Sequence, residues 1–491
     1  MEQFPALMIV VPLLAAPVVA MLPNGRLPWL LSSAVSWAVL AMAWCLLRGV
    51  LDTGAISYQM GGWAPPWGIE FRIDTLNAFV LFVVAAIGAV VTPFAGPSAR
   101  SEVPERLTSL FFCLYLLTYT GLLGITATGD IFNMFVFLEI SSLSSYALIA
   151  LGRDRRALTA AYQYLIMGTI GATFFLIGVG LLYSVTGTLN IADLSARLPA
   201  LEEVRVVHTA FAFMVAGVAL KLALFPLHLW LPNAYTYAPS AVSAFIAATS
   251  TKVAVYVMIR VLFTVFGVEF SLREMPLQPI LLVLSIIGVI ATSLMAVNQL
   301  DAKRLLAYSS VAQLGYMAIG ISFGTVLGLT AAITHIFNHA LMKGALFLAL
   351  GAVAYRIGST RIRDMSGLAK VMPWTIMAFA IGGLSLVGVP LTAGFISKWY
   401  LVSAALEQGW WWLAVIMLLT SLLAVMYVWK VIEVAWFRDL PESRADVREA
   451  PLSLLIPVWV LVLANIWFGI DTRFSAQVAA RAAEALLGVA P

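Results

Sequence analysis

Seven ionisable side chains fall near the middle of long apolar runs: Glu139, Lys221, Lys252, His335, His339, Lys343 and Lys398. A lysine at the centre of a bilayer-spanning helix costs roughly 2.5–3.5 kcal/mol on insertion scales. Groups held at that cost line ion or proton paths, or pair with one another. Glu139, in IFNMFVFLEISSLSSYALIAL, is the one clear mid-run carboxylate, so its natural partner is a lysine, with Lys221 the first choice. A nearby acid favours the charged form of a base while desolvation opposes it, so withdrawing the acid would release a proton. The plainer alternative is a fixed ion pair that holds two helices together.

His335, His339 and Lys343 recur every four residues, which puts all three on one helix face. Histidines titrate near neutral pH, so such a row suits a relay. The i, i+4 histidines could instead hold a metal, but position 336 is Ile and no cysteine or carboxylate completes a ligand set. A satisfied core histidine is the commoner fate of either one alone. Lys221 lies in VAGVALKLALFPLHLWLPNAY, followed five residues later by Pro226. That spacing predicts a broken helix in which the freed Leu222 carbonyl faces the ammonium. The alternative is a packed kink with Lys221 snorkelling to an interface.

Lesser candidates are Ser309, Ser310 and Gln313 in YSSVAQLGY, and Thr249, Ser250 and Thr251 beside Lys252. They could hold water or simply bond to helix backbone. His228 is expected to be half-exposed after the break, His208 interfacial, and Lys430 with Glu433 an interfacial pair. Trp410, Trp411 and Trp412 read as an interfacial belt. No Gly-rich phosphate loop, haem or iron–sulfur cysteine pattern, or nucleophile elbow occurs. The expectation is therefore no cofactor and no metal, with any redox chemistry supplied by partners.

The elements that must position these groups are membrane helices. Of 491 residues, 62% are hydrophobic and 11% charged, a composition for an all-α polytopic membrane protein rather than a soluble globule. Nothing resembles a nucleic-acid surface. Cys45 and Cys113 lie in apolar runs and read as small core residues. The run at 4–23 lacks a basic region ahead of it, so it is taken as a retained first helix. About fourteen spans follow from the apolar runs. The seventh (205–233) and twelfth (372–407) are long and interrupted by Pro226 and Pro390, and Arg473–Leu487 is an amphipathic tail.

Basic residues divide about fifteen to about five between the odd-numbered and even-numbered connections. The excess places the odd connections in the cytoplasm and both termini outside. Spans 7 and 12 are both broken, both carry a deep lysine and stand five apart, so equivalent helices would face opposite ways across the membrane. The expected organisation is a three-helix segment at 1–107, one five-helix repeat at 108–267, an inverted copy at 277–437, and a last helix with tail at 452–491.

Four segments, in this order, carry a family resemblance: DIFNMFVFLEISSLSSYALIAL, ALKLALFPLHLWLPNAYTYAPSAVSAFIAATSTKVAVYVMIR, DAKRLLAYSSVAQLGYMAIG and HIFNHALMKGALFLALG. They resemble the antiporter-like subunits of respiratory complex I, membrane-bound hydrogenases and Mrp-type cation/proton antiporters. The resemblance covers roughly residues 60–440, and GGWAPPWGIEFRIDTLNAF is similar to the Mrp D and hydrogenase branch. It implies fourteen helices with two inverted five-helix repeats. It further implies Glu139 and Lys221 as a coupled pair, Lys252 as the central lysine, His335 or His339 continuing the path, and Lys398 as the terminal exchange lysine. Gln313 stands where several relatives have a histidine, and Lys398 departs from the glutamate of one complex I subunit type.

The function so implied is a proton-translocating subunit of a multisubunit Mrp-type Na⁺(K⁺)/H⁺ antiporter in a bacterial or archaeal cytoplasmic membrane. Its partners would be other membrane subunits, protons, and Na⁺ or K⁺. An ion-pumping subunit of a redox complex is the alternative, and an inactive membrane scaffold is a third possibility.

Overall fold

Apolar runs of eighteen or more residues leave every backbone amide to be satisfied within its own segment, and the chain answers with helices. The computed structural model describes residues 2–201 and 205–489. In order come α1 (Phe4–Met21), α2 (Arg26–Thr53), a hairpin of β1 (Ile56–Gln59) and β2 (Glu70–Ile73), α3 (Thr75–Glu102), α4 (Thr108–Ala127), α5 (Ile131–Ala150) and α6 (Arg156–Thr186). Then follow α7 (Ile191–Arg197), α8 (Arg205–Leu222), α9 (Trp230–Tyr237), α10 (Ser240–Ala248), α11 (Ser250–Ile259), α12 (Leu277–Val297) and α13 (Ala302–Ser322). The series closes with α14 (Val326–Ile357), α15 (Pro373–Val387), α16 (Ala393–Glu407), α17 (Trp411–Phe437), α18 (Leu452–Ile470) and α19 (Arg473–Leu487).

Among the described residues, thirteen helical segments are long and apolar enough to cross a membrane, with Ser240–Val265 taken as one. α15 and α16, fifteen residues each, are too short to qualify singly and together occupy the place of the expected twelfth span. The all-α polytopic fold holds, with one addition. The small antiparallel hairpin pairs Ile56 with Ile73 and Gln59 with Glu70.

Burial is uneven, and this decides where polar groups can sit. The apolar window of α14 is wholly buried inside the protein, whereas that of α17 is only 33% buried. α14 packs against α3, α10, α13, α15, α16, α18 and α19. A helix wrapped in this way can carry polar side chains that never meet lipid.

The two interruptions expected at proline positions are present. α8 ends at Leu222, and α9 resumes at Trp230; α15 ends at Val387, and α16 resumes at Ala393. A third interruption was not expected: at Thr249 (φ −124°, ψ −59°) the eighth span divides into α10 and α11. No proline or glycine marks that place. Its last helical stretch, Arg260–Val265, is wound as a π-helix.

Similar local devices recur in the two halves of the bundle. Asp130 caps α5 through the Asn133 amide, and Asp301 caps α13 through the Arg304 amide. Each also bridges to the connection beyond the next long helix, Asp130 to Asn190 and Asp301 to Arg361. Those long helices, α6 and α14, both end on a left-handed glycine, Gly187 and Gly358.

Past the last span, α19 lies across α3 and α14 as the expected amphipathic tail. Its Phe474 ring sits 5.8–6.1 Å from the rings of Trp44, Phe79, Phe82, Phe337 and Phe468.

Candidate functional site

Lys221 is seated by a close helix crossing. α6 and α8 meet at Gly171 and Gly217, where a Cβ on Gly217 would stand 2.5 Å from the Gly171 carbonyl oxygen. Only glycine permits that approach, and Lys221 lies one turn further along α8. Its Nζ is 3.8 Å from Glu139 Oε1 on α5, donates to Ser142 Oγ at 2.5 Å and reaches Tyr146 Oη at 3.5 Å. The Glu139–Lys221 pair read from the sequence is therefore formed. The expected acceptor is not used: Lys221 donates to the Ser142 hydroxyl rather than to the freed Leu222 carbonyl, because α5 presents serines at the face that α8 turns toward it.

Glu139 occupies the opposite kind of setting. Its side chain is 26% exposed, against 7% for Lys221. It shares a face of α5 with the exposed Phe132, Val136 and Leu143, and its Oε1 has no hydrogen-bond partner among the described residues. A carboxylate at the rim of the bundle beside a buried lysine is an asymmetric pair, held at a distance that leaves room for change.

A cavity of about 20 Å³ opens beside Lys221, lined by Ser141, Ser142, Ser145, Tyr164 and Ser250 among others. That is room for about one water, with the 2–4 polar partners a buried water requires. It leads toward α11, which packs against both α8 and α14 and carries Lys252. Lys252 is fully buried, and its Nζ donates to the Ala247 carbonyl and, at 3.3 Å, to Thr251 Oγ1. The break at Thr249 makes that possible, because it frees carbonyls at the end of α10. Sequence reasoning missed it; the polar triplet Thr249–Ser250–Thr251 was the only signal.

On α14, His335, His339 and Lys343 are all 0% exposed and share one face as expected. The two imidazoles are parallel, with centroids 5.7 Å apart. His335 bonds Ser397 Oγ through Nδ1 at 2.7 Å and Gln313 Oε1 through Nε2 at 2.9 Å. His339 has no partner for either nitrogen among the described residues, and Thr334 Oγ1 and Asn338 Oδ1 on the same helix are equally unmet. Buried polar atoms in such a group require water. Lys343 donates to Ser309 Oγ at 2.5 Å and to the Leu306 carbonyl at 2.8 Å. Ser309 and Gln313 are thus ligands of the basic groups, while Ser310 bonds to backbone at Leu306.

Lys398, on α16, donates to the Leu386 and Val387 carbonyls at 3.1 and 2.9 Å and to Ser421 Oγ at 3.1 Å. Its ammonium lies 5.2 Å from the centre of the Tyr316 ring. The aliphatic stem passes over Gly388, whose φ of 92° and a would-be Cβ contact of 2.9 Å to Lys398 Cδ both require glycine there.

Two lesser expectations are corrected. His228 is buried, not half-exposed; it stacks on Phe225, and neither ring nitrogen has a partner among the described residues. Lys430 and Glu433 do not pair: Lys430 donates to the Val297 and Gln299 carbonyls, and Glu433 meets Arg438. The reason is geometric, since the end of α12 offers unsatisfied carbonyls nearer than the carboxylate. Of the tryptophan belt, Trp411 and Trp412 are exposed and Trp410 is partly covered.

These features define a polytopic membrane protein with a series of ionisable groups spread over three interrupted spans and two unbroken helices, α5 and α14. The chain belongs to the family described as NADH:quinone oxidoreductase/Mrp antiporter, TM, whose profile matches residues 128–424. It is 42% identical over 483 residues to the N subunit of the NADH-quinone oxidoreductase of Desulforudis audaxviator, covering 95% of this chain and 96% of that one. It is 32% identical to the D subunit of the Na(+)/H(+) antiporter of Alkalihalophilus pseudofirmus, covering 88% and 87% of the two chains. Among solved structures it is similar to a chain of the Mrp complex from a Dietzia species, with a TM-score of 0.90, 28% identity, and 99% and 97% of the chains covered.

Proposed function

We propose that the chain is a proton-translocating membrane subunit of a multisubunit Mrp-type Na⁺(K⁺)/H⁺ antiporter. The observation that carries this reading is the Glu139–Lys221 pair, a rim carboxylate 3.8 Å from an enclosed lysine. When the acid sits near, the lysine holds its proton; when an adjoining membrane protein pulls the acid away, the lysine gives the proton up. Lys252, His335, His339, Lys343 and Lys398 would carry it onward through bound water, with Ser142, Ser309 and Gln313 holding the bases in line. The unmet polar atoms on α14 and the cavity beside Lys221 support hydration of that route.

In this reading residues 108–267 and 277–437 are inverted copies, supported by the paired aspartate caps, the paired bridges and the paired breaks. The excess of basic residues at the odd-numbered connections supports a cytoplasmic position for them, and termini outside, in a cytoplasmic membrane. Other membrane subunits of the same assembly are the partners.

The test is proton-gradient collapse in vesicles carrying the assembled complex. Lys221→Ala and Glu139→Ala should each abolish transport at unchanged subunit content, and full activity in both would end the proposal. A second reading, an ion-pumping subunit of a redox-driven complex, is favoured by the 42% identity to a NADH-quinone oxidoreductase component. Co-purified proteins distinguish the two: iron–sulfur proteins for the redox complex, further small membrane subunits for the antiporter.

A further inference from the structure

The basic side of the bundle holds a second acid and base that the proposed axis leaves unused. Glu102 ends α3, and its Oε2 accepts from the Ser240 amide at the first residue of α10. Its Oε1 is enclosed and has no partner among the described residues. The same holds for Ser98 Oγ, one turn earlier on that face of α3, and for Ser240 Oγ, and both serines are at most 1% exposed. Across the Ala238–Pro239 link stands Lys303, 5% exposed, whose Nζ donates to the Ala238 carbonyl at 3.2 Å. An ammonium has three donors, and the described residues accept only this one. An acid and a base on either side of one link, with three unmet oxygens between helices, are penalised if they stay dry.

Lys303 also begins a line inward. On α13, Leu306 follows it by three residues and Ser309 by six, and those two supply both acceptors of Lys343. One helix therefore joins the basic surface to the middle of the bundle, without passing Lys221.

We propose that Glu102 and Lys303 form a proton-loading site at the arginine-rich face, which delivers protons along α13 to Lys343. The site rests on the reading of the buried bases as a proton path. A proton from water binds the free Oε1 of Glu102, crosses the link through ordered water to a transiently neutral Lys303, and leaves Lys303 by water toward Ser309 and Lys343. Glu102 is then ionised again, held in place by the α10 amide and the positive end of that helix.

The same contact could be only a helix cap tying α3 to α10. Glu102→Gln separates the two, because the amide oxygen still caps α10 but cannot take a proton. Transport is measured as pH-gradient collapse per assembled complex in vesicles, for Glu102→Gln, Glu102→Asp, Lys303→Gln and Lys221→Ala. The loading site requires at least a 10-fold loss in Glu102→Gln and Lys303→Gln, with most activity restored in Glu102→Asp. Wild-type rates per complex in Glu102→Gln and Lys303→Gln overturn it, as does a loss that merely follows reduced assembly. If those two variants are fully active while Lys221→Ala is dead, only the loading site falls. If Lys221→Ala is fully active, the path itself falls.

Discussion

The two broken spans put a lysine in apolar surroundings by different means. At the first, Lys221 has a carboxylate partner 3.8 Å away and a serine at 2.5 Å. At the second, Lys398 has no carboxylate within ion-pair distance among the described residues. It relies on two freed helix carbonyls, a hydroxyl and the face of Tyr316. Fixed dipoles cannot be withdrawn, whereas a carboxylate on the rim of the bundle can move with whatever packs against it. The first break thus has a partner that can be withdrawn, and the second a set of partners that stays in place. The glycines fit the same division: Gly217 brings two helices together beside Lys221, while Gly388 lets the Lys398 stem lie against its own break.

The largest expected effect comes from removing either amine. Lys221→Ala and Lys398→Ala should each reduce vesicle proton transport by more than about 100-fold, since one missing step costs more than about 2.7 kcal/mol in the barrier. Survival of transport in one of them alone would show that the two breaks do not act in series. Next, Glu139→Gln should cost about 10-fold or more in transport while leaving subunit assembly intact, because only the movable charge is lost. The comparison would break if the same loss followed Ser421→Ala, which touches only the Lys398 site.

Gly388→Ala should come third. A left-handed non-glycine residue costs of order 1–3 kcal/mol, and the added methyl would push the Lys398 stem aside. Transport slowed relative to Gly409→Ala, which bears the same left-handed strain (φ 73°) but whose methyl meets nothing, would reveal it. Ser142→Ala is expected to be smallest. A hydrogen bond to a charged group is worth about 1.5–3 kcal/mol, and water in the neighbouring cavity offsets part of its loss. Rates a few-fold below wild type in the same vesicle assay would fit, and an unchanged rate would remove Ser142 from the path.

What could be read from the chain alone follows from how each feature is encoded. Pro226 and Pro390 announce two breaks because a missing amide is a covalent fact visible in one residue. The break at Thr249 has no such mark; it falls where the main packing partners change, from α14 and α3 for α10 to α8 for α11. The face shared by His335, His339 and Lys343 was legible from spacing, but their partners were not: Ser397, Gln313 and Ser309 come from other helices, α16 and α13, whose packing the spacing does not encode. His228 was misjudged because burial after a break depends on what closes over it, here Phe225 and Tyr308. The hairpin escaped notice because its four-residue strands are too short for alternation to stand out beside the long apolar runs.

The Phe474 socket has a consequence for how the chain matures. Its five aromatic walls come from α2, α3, α14 and α18, so the plug that fills them leaves the ribosome after every one of its walls. Until then the helix bearing both imidazoles lacks its cover, and a nascent chain should remain open to protease at that end. Emergence of the tail helix, rather than insertion of the span before it, would then mark the moment the bundle locks. Pulse-labelled limited proteolysis of chains stopped at Ile470 and at Leu487 should separate the two events.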